Sequence, residues 1–332
     1  MADAFEVDGH TKIAGIKPWL VVIAAALFFF YEFIQMNVIN AINVDLMKEF
    51  ALTPTELGFF SSTYFYATVL FLIPAAMILD RFSTKRVVML ALGVCVLGNL
   101  MFGYASTVSI AMVSRFFTGI GSAFCFLSCI RLATRWFPPA HLALVTGVVV
   151  TLAMTGGMVS QTPMTYLTET YGWRHAMMFD AAFGLVIWLL IMLFVEDYPL
   201  GYESIKDTQE TQLSELGYMR SLRISLLRMQ NWLCGLYTCF LNLPIYLLGG
   251  FMGTPYLIEV QGYTRDEAAL VMTTLFFGAT IGSPLMGWIS DKVGLRRQPM
   301  MWGALLSFVI VLLIMYAGHV STTLMTLLFF AP

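Results

Sequence analysis

Two ionisable residues, Glu32 and Arg115, stand inside long apolar stretches of this sequence. A charge in a hydrocarbon layer costs several kcal/mol unless it is paired or hydrated, so each is a functional candidate. Glu32 follows Trp19 by 13 residues, which at about 1.5 Å per helical residue puts it about 20 Å along its helix. Arg115 enters a later run from the opposite side, roughly 9 Å below the surface of a layer ~30 Å thick. The depths agree, so Glu32 and Arg115 can face each other if their two helices line one cavity. Burial disfavours a carboxylate's charge and a guanidinium favours it, so opening such a site to water can switch the proton. A released guanidinium can grip an anion through two parallel hydrogen bonds. A static structural ion pair is the alternative.

Further polar groups share these runs. Gln35 and Asn43 follow Glu32 at helical spacing, and Tyr31 borders the stripe. Asn242 and Tyr246 lie four apart around Pro244, where a broken helix could expose backbone groups; simple packing is the alternative. Arg131 and Arg135 are expected to snorkel toward an interface. Asp180, near a helix end, is expected to be structural.

The elements that hold these residues must be membrane helices. Of 332 residues, 59% are hydrophobic and 11% charged, against about 25% charged in soluble domains. A soluble core of this length could not hide so much apolar surface. Nine runs are long enough to span, near 19–42, 57–79, 87–106, 110–136, 142–167, 175–195, 231–258, 267–290 and 299–317, and a tenth starts near Ser321. The first is too long for a signal-peptide core and carries Glu32 mid-run, so it reads as a retained span. The near-neutral balance, 18 basic against 20 acidic residues, argues against a nucleic-acid partner. Five cysteines and four histidines show no metal-ligand spacing, and no glycine loop with lysine offers a nucleotide phosphate site. No cofactor, metal or enzymatic chemistry is expected.

Basic residues fall in alternate loops: Arg81, Lys85 and Arg86, then Arg131 and Arg135, then Lys292, Arg296 and Arg297. The intervening loops are neutral or acidic, which predicts a cytoplasmic N-terminus. The division is a tail over 1–17, a six-helix bundle over 18–197, a cytoplasmic linker over 198–230 and an incomplete second bundle over 231–332. The linker opens acidic and ends with Arg220, Arg223 and Arg228 among leucines, as a surface-lying helix or a solvated tether would.

Two of the basic loops repeat one pattern. Asp80-Arg81 followed by Lys85-Arg86 matches Asp291-Lys292 followed by Arg296-Arg297 at the same spacing, with six helices between. An acid at a helix end can pair with a base on a neighbour, and the basic pair can anchor at lipid headgroups. The stretch Gly287 to Arg297 resembles the signature loop of the major facilitator superfamily at every fixed position, whereas the first copy has Ala76 and Ser83 where that loop has glycine. Arg115-Phe-Phe-Thr-Gly119-Ile-Gly121 and Gly172-Trp173-Arg174 resemble two further segments of the family.

The resemblance covers the chain from about residue 18 and implies an all-α membrane protein with the major facilitator fold, two pseudo-symmetric six-helix bundles. Only about nine and a half helices are present here, and the sequence is expected to be part of a longer protein. It also implies alternating-access transport in a bacterial inner membrane by a monomer whose partners are a small solute, protons and lipid. Phe28 to Phe33, Pro74 to Asp80 and the Arg115 segment resemble a group that imports amino acids or nucleosides in intracellular pathogens. Proton-coupled uptake of an amino acid, nucleoside or organic anion is therefore expected. Siderophore carriage, drug antiport and an inactive remnant are the alternatives. The glycine-proline pair of drug antiporters is missing between Gly147 and Pro163.

Overall fold

A computed structural model describes residues 4–7, 10–13, 15–138, 141–199, 223, 226–293, 297–316 and 320–330. The chain is helical apart from one small departure from an all-α reading. Strands β1 (Ala4–Val7) and β2 (His10–Ile13) pair antiparallel ahead of the first helix. The helices follow as α1 (Ile16–Phe50), α2 (Pro54–Arg81), α3 (Thr84–Gly103), α4 (Val108–Ser122), α5 (Cys125–Trp136), α6 (Leu142–Val159), α7 (Thr162–Tyr171) and α8 (Trp173–Phe194). After the linker come α9 (Met229–Pro244), a π-helix (Ile245–Met252), α10 (Gly253–Glu259), α11 (Arg265–Val293), α12 (Arg297–Tyr316) and α13 (Thr322–Phe330). Seven stretches among the described residues are long and apolar enough to cross a membrane.

Three of the expected single spans are segmented, each at a residue that interrupts the helical ladder. α4 gives way to α5 through a tight turn at Ala123–Phe124. α6 stops before Pro163, which has no N–H to donate and so sits in the first turn of α7. Beyond Pro244 the helix widens into the π-segment.

Apolar side chains on both sides of each helix find a suitable surrounding. Val69, Leu70, Leu90 and Leu97 point outward, as lipid contact requires. Inward, one core of the first six spans joins Val21, Phe28, Leu92, Cys129 and Ile187, and a second gathers Ile39, Phe60, Phe102 and Trp173. A separate core in the later helices joins Leu257, Met272, Ile314 and Phe329. Phe276 of α11 reaches across to Phe33, Tyr64 and Met154. α1 is the hub: every residue from Tyr31 to Asn43 is buried.

The duplicated loops belong to a longer duplication. Thr53 and Glu56 cap each other reciprocally at the start of α2, and Thr264 and Glu267 do the same at the start of α11. Thr264 precedes Asp291 by as many residues as Thr53 precedes Asp80. Two helices of nearly one length, 28 and 29 residues, thus carry the same start and the same spacing to the loop aspartate.

At the basic end, Asp80 forms an ion pair with Arg131 of α5. Arg131 therefore does not snorkel; it ties α5 to α2. Arg135 is likewise engaged, donating to Thr84 Oγ1 at 2.9 Å and lying 3.9 Å from Asp197 and 4.3 Å from the Tyr198 ring. Asp197 accepts from the Lys85 N–H at 2.8 Å and from the Ser83 hydroxyl, an anion seated at the N-terminus of α3. In the second loop, Asp291 and Lys292 close α11 and Arg297 opens α12, but their side chains, all of Arg296 and residues 200–222 of the linker lie outside the described residues.

At the other end, the Gly172-Trp173-Arg174 segment fixes the entry of α8. Gly172 has φ +82°, a conformation costly to residues with a Cβ. Arg174 then pairs with Glu49 at 2.7 Å and donates to the Ala105 carbonyl at 2.6 Å, joining α8 to α1 and to the α3–α4 loop.

Candidate functional site

The site is built on α1, which presents two polar faces. Glu32 and Met36, one turn apart, line a cavity of about 440 Å³ between α1, α2 and the π-helix region. Ser61, Tyr64, Phe65 and Thr68 of α2 form one wall, and Leu243 and Tyr246 form the other. Tyr31 and Gln35, also one turn apart, point elsewhere, into the packing between α1, α3 and α8. Helical spacing of three residues from Glu32 placed Gln35 on the stripe, but a 100° step per residue separates the two faces.

Glu32 and Arg115 are close without touching. Tyr64 stands between them: its hydroxyl donates to Glu32 Oε1, and its ring carries the Arg115 guanidinium at 4.7 Å from the centroid. The expected direct pair is thus mediated by an aromatic residue on α2. Its identity was absent from the sequence reading, although the Ser61 to Tyr66 stretch is unusually polar for a span. Arg115 is 1% exposed and its Nη1 donates to the Gln35 carbonyl at 2.8 Å, whereas its Nε is buried without a hydrogen-bond partner.

Gly119, one turn after Arg115, makes this approach possible. A Cβ there would overlap the Tyr64 carbonyl oxygen and crowd Ala67. With hydrogen in its place, α4 lies directly on α2, and Thr68 Oγ1 donates to the Gly119 carbonyl at 3.2 Å. The first glycine of the Arg115 segment is therefore a contact residue for the tyrosine that separates the two charges.

A second polar cluster lies behind α1. Asp180, 5% exposed on α8, accepts from Gln35 Nε2 and from Asn99 Nδ2, the latter at 2.7 Å. Asn99 also donates to the Tyr31 hydroxyl at 3.2 Å. Asp180 is thus more central than its place near a helix end implied. Asn99, a lone amide in an apolar run, gave the only hint of a partner.

Tyr246 reaches the cavity and meets Phe65 edge-on at 6.4 Å. Asn242 does not reach it; its Nδ2 donates to the Thr238 carbonyl at 2.9 Å, and it lines an adjacent groove. Asn43 is turned to its own backbone, its Oδ1 accepting from Val44 N–H at 2.6 Å.

Farther along α1 from the cavity, away from the basic end, a seam joins the earlier and later helices. In the π-segment after Pro244, carbonyls accept from side chains of the facing helices as well as from the backbone. Asn40 Nδ2 donates to the carbonyls of Leu248 and Gly249 at 3.4 and 3.2 Å, and Gln161 Nε2 to that of Gly249 at 3.1 Å. Thr254 N–H donates to Asn40 Oδ1 at 3.1 Å. Farther out, Thr162 and Thr273 hydroxyls lie 2.7 Å apart, and Arg265 pairs with Asp45 at 2.9 Å and Glu169 at 3.6 Å. The backbone groups that meet the facing helices lie past Pro244, in the π-segment and at the start of α10.

Comparison with known proteins bears on this arrangement. A model of the Major Facilitator Superfamily matches residues 22–331. The chain is 24% identical over 276 residues to a probable sulfoacetate transporter, SauU, of Cupriavidus necator, covering 80% of this chain and 63% of that protein. It is 23% identical to a probable galactarate/D-glucarate transporter, GudP, of Escherichia coli, covering 90% and 73%. The chain thus spans less than two thirds of the first of these relatives. Among solved structures, a bacterial homologue of the human lysosomal transporter Spinster, inward-facing and occupied, superposes with a TM-score of 0.69 at 19% identity, covering 96% of this chain and 72% of that one. A D-xylose–proton symporter superposes with a TM-score of 0.63 at 14% identity, covering 95% and 79%.

Proposed function

Since the chain belongs to the Major Facilitator Superfamily, we propose that it is part of a secondary carrier that takes up a small organic anion together with protons by alternating access. The observation that carries this reading is Glu32, a carboxylate on the cavity wall with Tyr64 on it and Arg115 behind the same ring. Among amino acids, nucleosides and organic anions, the anion reading is favoured by the chemistry of Arg115 and by the sulfoacetate and galactarate/D-glucarate named for the relatives.

With Glu32 ionised, the Tyr64 hydroxyl donates to it and the phenol is held in place under Arg115. A proton arriving from the cavity makes Glu32 a donor in its turn, so Tyr64 no longer has to offer its hydrogen there. The ring is then free to turn, which uncovers the guanidinium for a bidentate grip on the substrate's anionic group. Release of substrate and proton restores the first arrangement. With the N-terminus in the cytoplasm, the polar seam closes the outer side and the cavity is the inward-facing one. The Asp80–Arg131 contact holds α2 to α5 at the inner end while the seam opens and closes.

The test is uptake of labelled D-glucarate and sulfoacetate by cells or proteoliposomes under an imposed inward proton gradient. Glu32→Gln should abolish gradient-driven accumulation yet keep exchange of substrate across the membrane. Accumulation that survives unchanged in Glu32→Gln would rule out the coupling role.

A further inference from the structure

Asp180 is a buried carboxyl without an ion-pair partner, and Arg115 is a buried guanidinium without one. Among the described residues neither forms an ion pair. Asp180 accepts only from the neutral amides of Gln35 and Asn99. Arg115 donates to a neutral carbonyl, that of Gln35. The same residue therefore touches both charges, with its backbone oxygen on the guanidinium and its side-chain amide on the carboxylate. Lone buried charges are costly, and a path through one polar residue in a medium of low dielectric brings two opposite ones into strong interaction.

The location of the two carboxylates separates their tasks. Glu32 lines the cavity, whereas Asp180 lies behind α1, away from it. Were Glu32 the sole counter-charge of Arg115, each proton it accepted would leave the guanidinium unmatched in the membrane until the anionic substrate arrived. We propose that Asp180 is the permanent counter-charge of Arg115, acting through Gln35, and that this leaves Glu32 free to exchange its proton with the cavity. The inference rests on the coupling reading above and makes Asp180 a positioning residue for it.

Among the described residues, Asp180 is the one carboxyl besides Glu32 that acts on Arg115. Around Asp180, α1 supplies Tyr31 and Gln35, α3 supplies Asn99, and Glu169 of α7 is turned away to Arg265. Around Glu32 stand Tyr64, Cys95, Cys125, Arg115 and, across the cavity, Tyr246. Arg115 is the single cation near either carboxylate among the described residues.

The experiment needs no substrate. Infrared spectra of the purified full chain in detergent, taken as a function of pH with isotope-labelled glutamate, follow the protonated-carboxyl band that Glu32→Gln removes. In Asp180→Asn the midpoint of that band should move to more acid pH by about one unit, roughly what one elementary charge about 10 Å away produces at an effective dielectric near 20. The sign follows because an Arg115 without its counter-charge holds Glu32 ionised. Asp180→Glu should restore the original midpoint. An unmoved midpoint in folded Asp180→Asn would overturn the counter-charge and leave the coupling reading standing. The absence of any titrating Glu32 band would overturn both. If Asp180→Asn does not fold, the charge-balanced pair Asp180→Asn with Arg115→Gln should recover folded protein; a purely hydrogen-bonding Asp180 predicts no recovery, and that result too would overturn the proposal.

Discussion

The Arg115 guanidinium packs on the ring of Tyr64, 4.7 Å from its centroid, while the hydroxyl of the same tyrosine is bonded to Glu32. Ring and hydroxyl can be separated by mutation. Tyr64→Phe keeps the surface beneath Arg115 and removes only the donor to Glu32. A hydrogen bond to a charged group contributes about 1.5–3 kcal/mol, so proton-driven uptake should fall about ten- to hundredfold, with a loss of thermal stability smaller than truncation of the ring causes. Tyr64→Ala should lower both, since truncating a buried aromatic costs about 3–5 kcal/mol. Uptake rates and melting in detergent, measured on both variants, separate the two contributions.

Gly119→Ala tests the contact that brings α4 onto α2. The added methyl overlaps the Tyr64 carbonyl, which is backbone and cannot swing aside. The helices must part, at about 1–3 kcal/mol, and Arg115 moves with α4. We expect a lower melting temperature together with weakened uptake. Gly147→Ala, where nothing lies within 4 Å of the new methyl, is the control and should leave both unchanged.

The seam can be locked. Thr162 and Thr273 hydroxyls are 2.7 Å apart across the two sets of helices. The double variant Thr162→Cys with Thr273→Cys should form a disulfide under mild oxidation, as side chains this close approach bonding geometry. Uptake should stop on oxidation and return with reductant. Uptake that continues in fully cross-linked protein would show that the seam does not have to open.

Arg265→Gln tests the same seam from the other direction. It leaves Asp45 and Glu169 facing each other without their shared cation. Such partly exposed pairs contribute about 1 kcal/mol or less to stability, so folding should be preserved. The balance between open and closed seam should shift toward open. A cysteine placed at Asn43, in a background lacking the native cysteines, should then react faster with a membrane-impermeant thiol reagent added outside.

The helices were legible in the sequence because a membrane span announces itself by length and hydropathy, and because loop charges alternate. The duplicated loop was legible for a related reason: Asp80 and Asp291 recur at fixed spacing from basic pairs. The pairing of Asp80 with a base on a neighbouring helix also followed from charge alone, and Arg131 supplies it. What spacing could not supply was rotation about each helix axis. Glu32 and Gln35 looked like one stripe, yet they face a cavity and a sealed cluster respectively. Tyr64 escaped notice because a tyrosine in a span is an ordinary residue until the helix packed against it is known. Asp180 was undervalued because its partners, Gln35 and Asn99, come from segments far away in sequence.

The seam also bears on what a family of related sequences can reveal. Asn40 has one side-chain partner, Gln161 of the earlier helices, but across the seam it bonds the carbonyls of residues 248 and 249 and the N–H of residue 254, all backbone atoms. A side chain that grips backbone has no partner residue whose identity must change with its own. Position 40 would then be held constant while position 248 drifts, and the two would show no covariation. Contact maps inferred from correlated substitutions would leave this part of the seam blank, although it is where the two sets of helices close.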